Sequence, residues 1–308
     1  MLNKMLDNNK DIKISGFSYV RNGFSYGVPF IQAIISILPI CYEMVIAVGD
    51  SNDGTKEALL ALKDSKIKII DTVWDMQLKE GGKIFAQQTN IALAGTTGNW
   101  AFHIQADEVI HENDLSKIVE AIHKENTNLA IDGFILPFLH FWGDYEHIRN
   151  SRRVHKHEVR IFRKNNLVKS YKDSQGFRKY KSEKGYLDAT DEGLKLIVKK
   201  IEAPIFHYNG IRTPRHMFEK IKNFEQHYGN NVEDQNENVT YDLNYIDRVI
   251  TYKGSHPKVM QLLINNHTFK FVHDKSKAIW KTKDKLIQPI EDLLGFKFGE
   301  YKNYILKK

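Results

Sequence analysis

Apolar residues in the first half of the chain come in short blocks separated by polar joints rich in Asp, Asn and Gly. Ile12 to Tyr19 reads as a short strand. Pro29 stands where a helix would start, and Phe30 to Leu38 carries an apolar helical face that Pro39 ends. Met44 to Val48 is an unbroken apolar run, as expected of a strand covered on both faces. The loop GDSNDGT follows, then a helix over Lys56 to Leu62, a strand over Ile67 to Ile70 and a helix over Lys83 to Ala94. Asn99 to Ile104 is the fourth strand; it ends in QADE, and Asn113 or Asp114 caps a helix running to about His123. This alternation predicts an α/β fold with a parallel sheet, and such sheets bind ligands at the carboxyl ends of their strands.

Beyond residue 130 the pattern changes. Ile131 to Phe141 and Glu158 to Phe162 read as strands, separated by an aromatic and basic loop from His140 to Lys156. From Thr213 the pattern turns helical, first in PRHMFEKIKNFEQHYG, then after an Asn-rich connector (Gly229 to Thr240) in shorter segments. A boundary near residue 211 divides a catalytic-type domain, 1–211, from a helical extension, 212–308.

Composition narrows the class. An apolar fraction of 42% supports a sizeable core and argues against global disorder. Cys41 is the single cysteine, which excludes an intramolecular disulfide and cysteine-rich metal sites. It points to a reducing, cytoplasmic setting. The start, MLNKMLDNNKDIK, has no apolar run of the signal-peptide kind, and the most apolar stretch, Val28 to Val48, is interrupted by Pro29, Gln32, Ser36, Pro39 and Glu43, so it is not a membrane span. The net charge of +7 favours anionic partners without choosing among nucleic acid, lipid and nucleotide phosphates.

Two strand ends carry chemistry. In Gly49 to Thr55, carboxylates at Asp50 and Asp53 can accept hydrogen bonds from a nucleoside; the plainer reading is a helix cap. The dinucleotide-type glycine pattern is absent, which disfavours a nicotinamide or flavin enzyme. The strand Trp100 to Ile104 stops at Asp107 and Glu108, two adjacent carboxylates that are costly to bury unless a cation meets them. A divalent metal bridging to a diphosphate is one solution, a solvated loop the other.

The order of these segments, with GDSNDGT at Gly49 to Thr55, Asn90 in QQTNIALA and QADE at Gln105 to Glu108, resembles glycosyltransferase family 2 over roughly residues 12 to 125. The resemblance implies a GT-A type, Rossmann-like, mostly parallel sheet flanked by helices, here with a mainly helical C-terminal extension. It also implies a nucleotide-diphosphate sugar donor, Mg²⁺ or Mn²⁺, inversion at the anomeric carbon, and a glycan, lipid-linked or protein acceptor in polysaccharide or glycoconjugate synthesis. Asp107 matches the family's metal-binding position, whereas Gln105 stands where the family has another aspartate. Val48 or Gly49 falls where the family often has a base-contacting aspartate, a role the resemblance passes to Asp50; Asp53 matches the family's later aspartate, Asn90 the family's helix asparagine, and His207 in PIFHYNG the late-strand histidine that some GT-A enzymes add to the metal. For the base that deprotonates the acceptor, Asp173 in YKDSQGF and Glu158 are the candidates, Asp173 favoured because a loop can reach the anomeric carbon.

Residues 149–184 hold 13 Lys and Arg against three acids, a local surplus larger than that of the whole chain. Positive charge beside a diphosphate stabilises the leaving group, and Arg160 and Arg163, flanking a strand, are the preferred members; Lys79 or Lys83 offers a further diphosphate contact. Trp74 and Phe85 match a stretch before the family's helix, and His140, Trp142 and Tyr145 form a candidate platform for sugar rings. His155 and His157 lack the further ligands of a zinc site. Lys253 to Lys285 has eight lysines and two acids, which reads either as a solvated helical surface or as peripheral contact with the inner face of a membrane. Competing readings are a nucleotidyltransferase, weakened by a poor phosphate loop between Tyr19 and Gly27, and a non-catalytic relative that binds nucleotide sugar. No nucleic-acid recognition motif is present, so nucleic acid is not an expected partner.

Overall fold

The computed structural model describes residues 11–75, 77–78, 80–215, 217–218, 220–221 and 241–307. Lys79, expected as a diphosphate contact, the Asn-rich connector and most of the helix expected before it lie outside those residues.

The first half follows the alternation of the sequence. Strands β1 (Ile14–Val20), β2 (Glu43–Val48), β3 (Ile67–Asp71) and β4 (Trp100–His103) stand in the order β3-β2-β1-β4, all parallel. Helices α1 (Phe30–Ile37), α2 (Thr55–Leu60), α3 (Lys83–Ala94) and α4 (Leu115–Glu125) connect and flank them. Alternate residues of β1 serve the two faces. Ile14 and Val20 join a core with Ile34 and Ile37 of α1 and Ile118 and Ile122 of α4, while Phe17 joins one with Ala92 and Leu93 of α3. Glu43, buried within β2, accepts from Ser15 Oγ at 2.6 Å and from the Thr97 amide at 2.5 Å and pairs with Lys68, so its charge is met.

Beyond β4 the chain adds β5 (Glu108–Ile110), β6 (Gly133–Trp142), β7 (Asp144–Arg149), β8 (His157–Arg163), β9 (Val168–Ser170) and β10 (Phe177–Lys179). A short α5 (Glu183–Leu187) precedes β11 (Leu194–Lys200) and β12 (Ile205–Gly210). The sheet continues from β4 as β8-β6-β11-β10-β9, with β8 antiparallel to both β4 and β6. Strand β6 is long enough to serve two neighbourhoods: its first half pairs β8 and β11, its second half β7 and β12. The aromatic and basic segment expected as a loop is therefore largely strand. Gly143 makes this possible: its φ of +76° permits the tight turn, and an added Cβ would lie 2.4 Å from the Phe271 ring.

The C-terminal part contributes β13 (Val249–Thr251) against β7, α6 (Gln261–Asn265), α7 (Thr282–Leu294) and β14 (Tyr304–Leu306) parallel to β11. Its regular structure is mostly helical, and its last strand is built into the sheet of the first half. The architecture is thus mixed α/β around a central sheet whose first four strands are parallel. Among the described residues, no helix is long and apolar enough to cross a membrane.

Candidate active site

Parallel strands bring the carboxyl ends of β1 and β4 to one edge, and a cavity of about 460 Å³ opens there. Its position follows from how the QADE turn is held. Glu108 is wholly buried and gripped by Arg160 through two hydrogen bonds of 2.7 and 3.0 Å. One of the same Glu108 oxygens accepts from the Gln105 amide, and the Asp107 carbonyl accepts from the Tyr208 amide of β12. With both flanks fixed, the Asp107 side chain is left to face the cavity. Opposite it stands His207 of β12, whose Nε2 lies 3.5 Å from Asp107 Oδ2.

The orientation of His207 is set from behind. His140 Nε2 lies 2.7 Å from the His155 carbonyl oxygen, which can only accept, so that nitrogen carries the proton. Burial, followed by the neighbouring His207, pushes the His140 ring down to about 3, so it is neutral and its Nδ1 is an acceptor. The 2.8 Å contact between His140 Nδ1 and His207 Nδ1 then requires His207 to donate. The Nε2 of a neutral His207 is left as a lone pair facing a carboxylate oxygen. Two acceptors at that separation are repulsive unless a cation, proton or metal, stands with them. Asp107 itself is held well below the usual carboxylate range: burial pushes it up, but His207, Lys220 and Arg212 outweigh that.

Among the described residues, three cations line the cavity, and none belongs to the basic segment 149–184. Arg21 follows β1, stacks over Trp74 at 5.5 Å and is clasped by Asp50 at 2.9 Å. Arg212 and Lys220 come from the stretch after β12, both fastened to Asn209. Arg212 also donates to the Tyr26 carbonyl at 3.0 Å. Burial lowers Lys220 to about 7, Arg212 adding to the effect and Asp107 opposing it. Tyr19, Trp74 and Phe85 form an aromatic wall with ring centroids 5.7 to 6.2 Å apart.

Asp173 completes the lining, on a loop folded against the sheet. The backbone there is strained: Lys172 and Ser174 on either side have φ of 53° and 69°, and Gly176 has φ of 124°. Ser174 Oγ reaches Thr89 Oγ1 at 2.9 Å, which ties the loop to α3. Glu158 lies outside the cavity lining, with Oε2 buried and without a hydrogen-bond partner. Burial pushes its carboxyl up to about 8, with Glu108 and Asp173 adding and Arg160 opposing.

The structure thus gathers Asp107, His207 and Asp173 and leaves the other expected contacts elsewhere. Asp53 turns inward on its own loop, accepting from Thr55 Oγ1 at 2.5 Å and from the Ser25 amide at 2.8 Å. Asn90 joins α3 to Tyr186 and to the Ser170 amide. Lys83, at the start of α3, is not in the lining. Arg160 is spent on Glu108, and Arg163 stands at the far end of β8, beside Trp100, donating to the carbonyls of Glu125, Asn126, Asn128 and Ile131. The expected platform also disperses: Trp142 donates to the Leu243 carbonyl, Tyr145 packs with Tyr208, and His140 serves His207. Arg212, Lys220 and Tyr19 carried no spacing or motif that marks them in sequence, and Arg21 stood out only in the poor phosphate loop between Tyr19 and Gly27.

A concave site with an aromatic wall, a fixed carboxylate and convergent cations, at the carboxyl ends of parallel strands, is where an α/β fold places a ligand site. The sequence matches glycosyl transferase family 2 over residues 29–183, and the chain belongs to that family. No curated protein matches it. Among solved structures it is similar to glucosyl-3-phosphoglycerate synthase from Mycobacterium tuberculosis in complex with Mn²⁺ and UDP-glucose, at 16% identity and a TM-score of 0.32, covering 46% of this chain and 48% of that one. The same synthase with Mn²⁺, UDP and phosphoglyceric acid is similar at 15% identity and a TM-score of 0.31, covering 46% and 47%. The chain therefore spans about half the length of these structures.

Proposed function

We propose that the chain moves a glycosyl group from a nucleotide-diphosphate sugar to an acceptor hydroxyl, with inversion, in the cavity at the ends of β1 and β4. The observation that carries this reading is the facing pair of Asp107 and His207, 3.5 Å apart with His207 oriented by His140. Asp107 and His207 would hold Mg²⁺ or Mn²⁺, with the remaining positions left to phosphate and water. When bound, that cation supplies Lewis-acid neutralisation of the donor's diphosphate. Gln105 does not add a second carboxylate, so the imidazole takes a larger share of the site.

The chain's own groups supply the rest. Arg21 and Arg212 bring fixed positive charge to the departing diphosphate, and Lys220, lowered to about 7, adds its charge when protonated. Asp173 accepts the proton of the acceptor hydroxyl while its oxygen attacks the anomeric carbon. The bond from that carbon to the diphosphate oxygen breaks on the opposite face, which inverts the centre. Glu158, neutral near pH 7 and outside the lining, is poorly suited to this. The acceptor is a hydroxyl of a glycan, lipid-linked or protein molecule, as in polysaccharide or glycoconjugate synthesis.

Calorimetric titration with UDP-, GDP- and dTDP-sugars, with and without Mn²⁺, tests the reading. Binding of one nucleotide class that requires the metal is expected, and Asp107→Asn is expected to abolish that metal-dependent binding and cut transfer by about a hundredfold or more. Full transfer activity in Asp107→Asn would overturn the assignment.

A further inference from the structure

Helix α7 is amphipathic, and it is packed with its polar side inward. Its buried residues are Asp284, Gln288 and Glu291. Arg152 reaches Asp284 at 2.6 Å and Glu291 at 3.1 Å, Arg153 reaches Asp284 at 2.8 Å, and the Arg152 amide donates to Gln288 Oε1 at 2.7 Å. The remaining acid of the helix, Asp292, pairs with Arg248. The helix is thus docked by ion pairs, and its acidic charge is neutralised by the body of the protein.

The face turned outward is apolar. Leu286, Ile290, Leu293 and Leu294 follow the spacing of one helical stripe and are 68%, 51%, 85% and 52% exposed. Phe296 and Phe298 prolong it past the helix end, their rings 4.7 Å apart and both exposed. Single exposed apolar residues are ordinary, but a contiguous group of this kind marks an interaction surface.

Charge says what it meets. Lys281, Lys283 and Lys285 are exposed at the amino end of α7, and Lys283 continues the apolar stripe one turn back from Leu286. Cations in the first turn oppose the helix dipole, so helix formation does not account for them. With Asp284 and Glu291 turned inward and the exposed Asp292 paired with Arg248, the outer surface presents lysines followed by leucines, which is the pattern of a helix lying in a lipid interface.

We propose that this face docks on an anionic bilayer surface, with Leu286, Ile290, Leu293 and Leu294 entering the headgroup–acyl boundary and Lys281, Lys283 and Lys285 meeting lipid phosphates. The surface is apart from the cavity, and the assignment stands without the donor chemistry proposed above.

Flotation of the full chain with vesicles of phosphatidylcholine alone, and of equimolar phosphatidylcholine and phosphatidylglycerol, tests it. Binding to the mixed vesicles only, weakened by added salt, is expected. Replacing Lys281, Lys283 and Lys285 by Gln is expected to reduce that binding by about a hundredfold. Leu286→Gln with Leu293→Gln is expected to abolish it, and both variants are expected to keep the wild-type melting temperature because the residues are exposed. Failure of the wild type to float with either vesicle would overturn the proposal, as would variants that float like the wild type. A concentration-dependent dimer in sedimentation that Leu286→Gln with Leu293→Gln dissolves would assign the face to a second copy instead.

Discussion

Asp107 and Glu108 are adjacent carboxylates with opposite fates, and the difference lies in what each meets. Glu108 is enclosed with Arg160, whereas Asp107 faces the cavity and His207. Removing one partner of a buried pair strands the other charge, so Arg160→Met is expected to cost about 3–5 kcal/mol in urea denaturation. A variant of unchanged stability but weakened donor binding would instead place Arg160 with the ligand. Glu158 gives a second test. Its carboxyl stands at about 8 in the folded protein against an ordinary value of 4.5, so between those values the folded state keeps a proton that the unfolded state has released. Stability therefore falls as pH rises through that window, by at most about 1.4 kcal/mol per pH unit. Glu158→Gln, neutral at every pH, is expected to remove this share of the decline in melting temperature between about pH 5 and pH 8. Melting curves that run parallel to the wild type across that range would show that Glu158 is ionised throughout. In sequence both acids were visible as candidates, but nothing local distinguished an enclosed carboxyl from one that faces a ligand.

Elements were more legible than contacts. The blocks from Ile12 to His123 became β1–β4 and α1–α4 with ends shifted by a residue or two, because apolar periodicity and Pro and Gly joints are local signals. The hairpin of β6 and β7 was not legible: it depends on Gly143 turning beside Phe271, 128 positions further along the chain. The loop after β2 shows how an element serves a site indirectly. Asp50 clasps Arg21, and a Cβ on Gly49 would lie 2.6 Å from Trp74 Nε1 and 2.9 Å from Arg21 Cβ. Gly49→Ala is therefore expected to displace two walls of the cavity and weaken nucleotide-sugar binding about tenfold or more while costing only about 1–3 kcal/mol of stability. Unchanged affinity in calorimetry would show that neither Trp74 nor Arg21 touches the donor.

At the scale of the whole molecule, the charge surplus of residues 149–184 was expected to face the donor, and it is largely used inside the protein. Arg149 pairs with Asp247, Arg152 and Arg153 with acids of α7, and Arg178 donates to Asn303 at 2.7 Å and to Tyr301 at 2.6 Å. The C-terminal part is thus clamped to the first half, and β14 closes on β11. A chain ending at residue 300 is expected to melt about 5 °C or more below the full chain, since it loses that strand and leaves Arg178 without Asn303. Equal melting temperatures would mean that the closing strand adds nothing. By itself the sequence determined the α/β class, the order of its first elements and the turn that carries Asp107, because each follows from short-range periodicity and local turn chemistry. Tertiary structure alone decided which charges reach the cavity. Arg21 is brought by the fold beside Arg212 and Lys220, which lie nearly 200 positions further along the chain, while much of the denser basic segment is met by partners elsewhere: Arg149 by Asp247, Arg152 and Arg153 by acids of α7, and Arg160 by Glu108. Charge acts through space, and only the fold sets those distances.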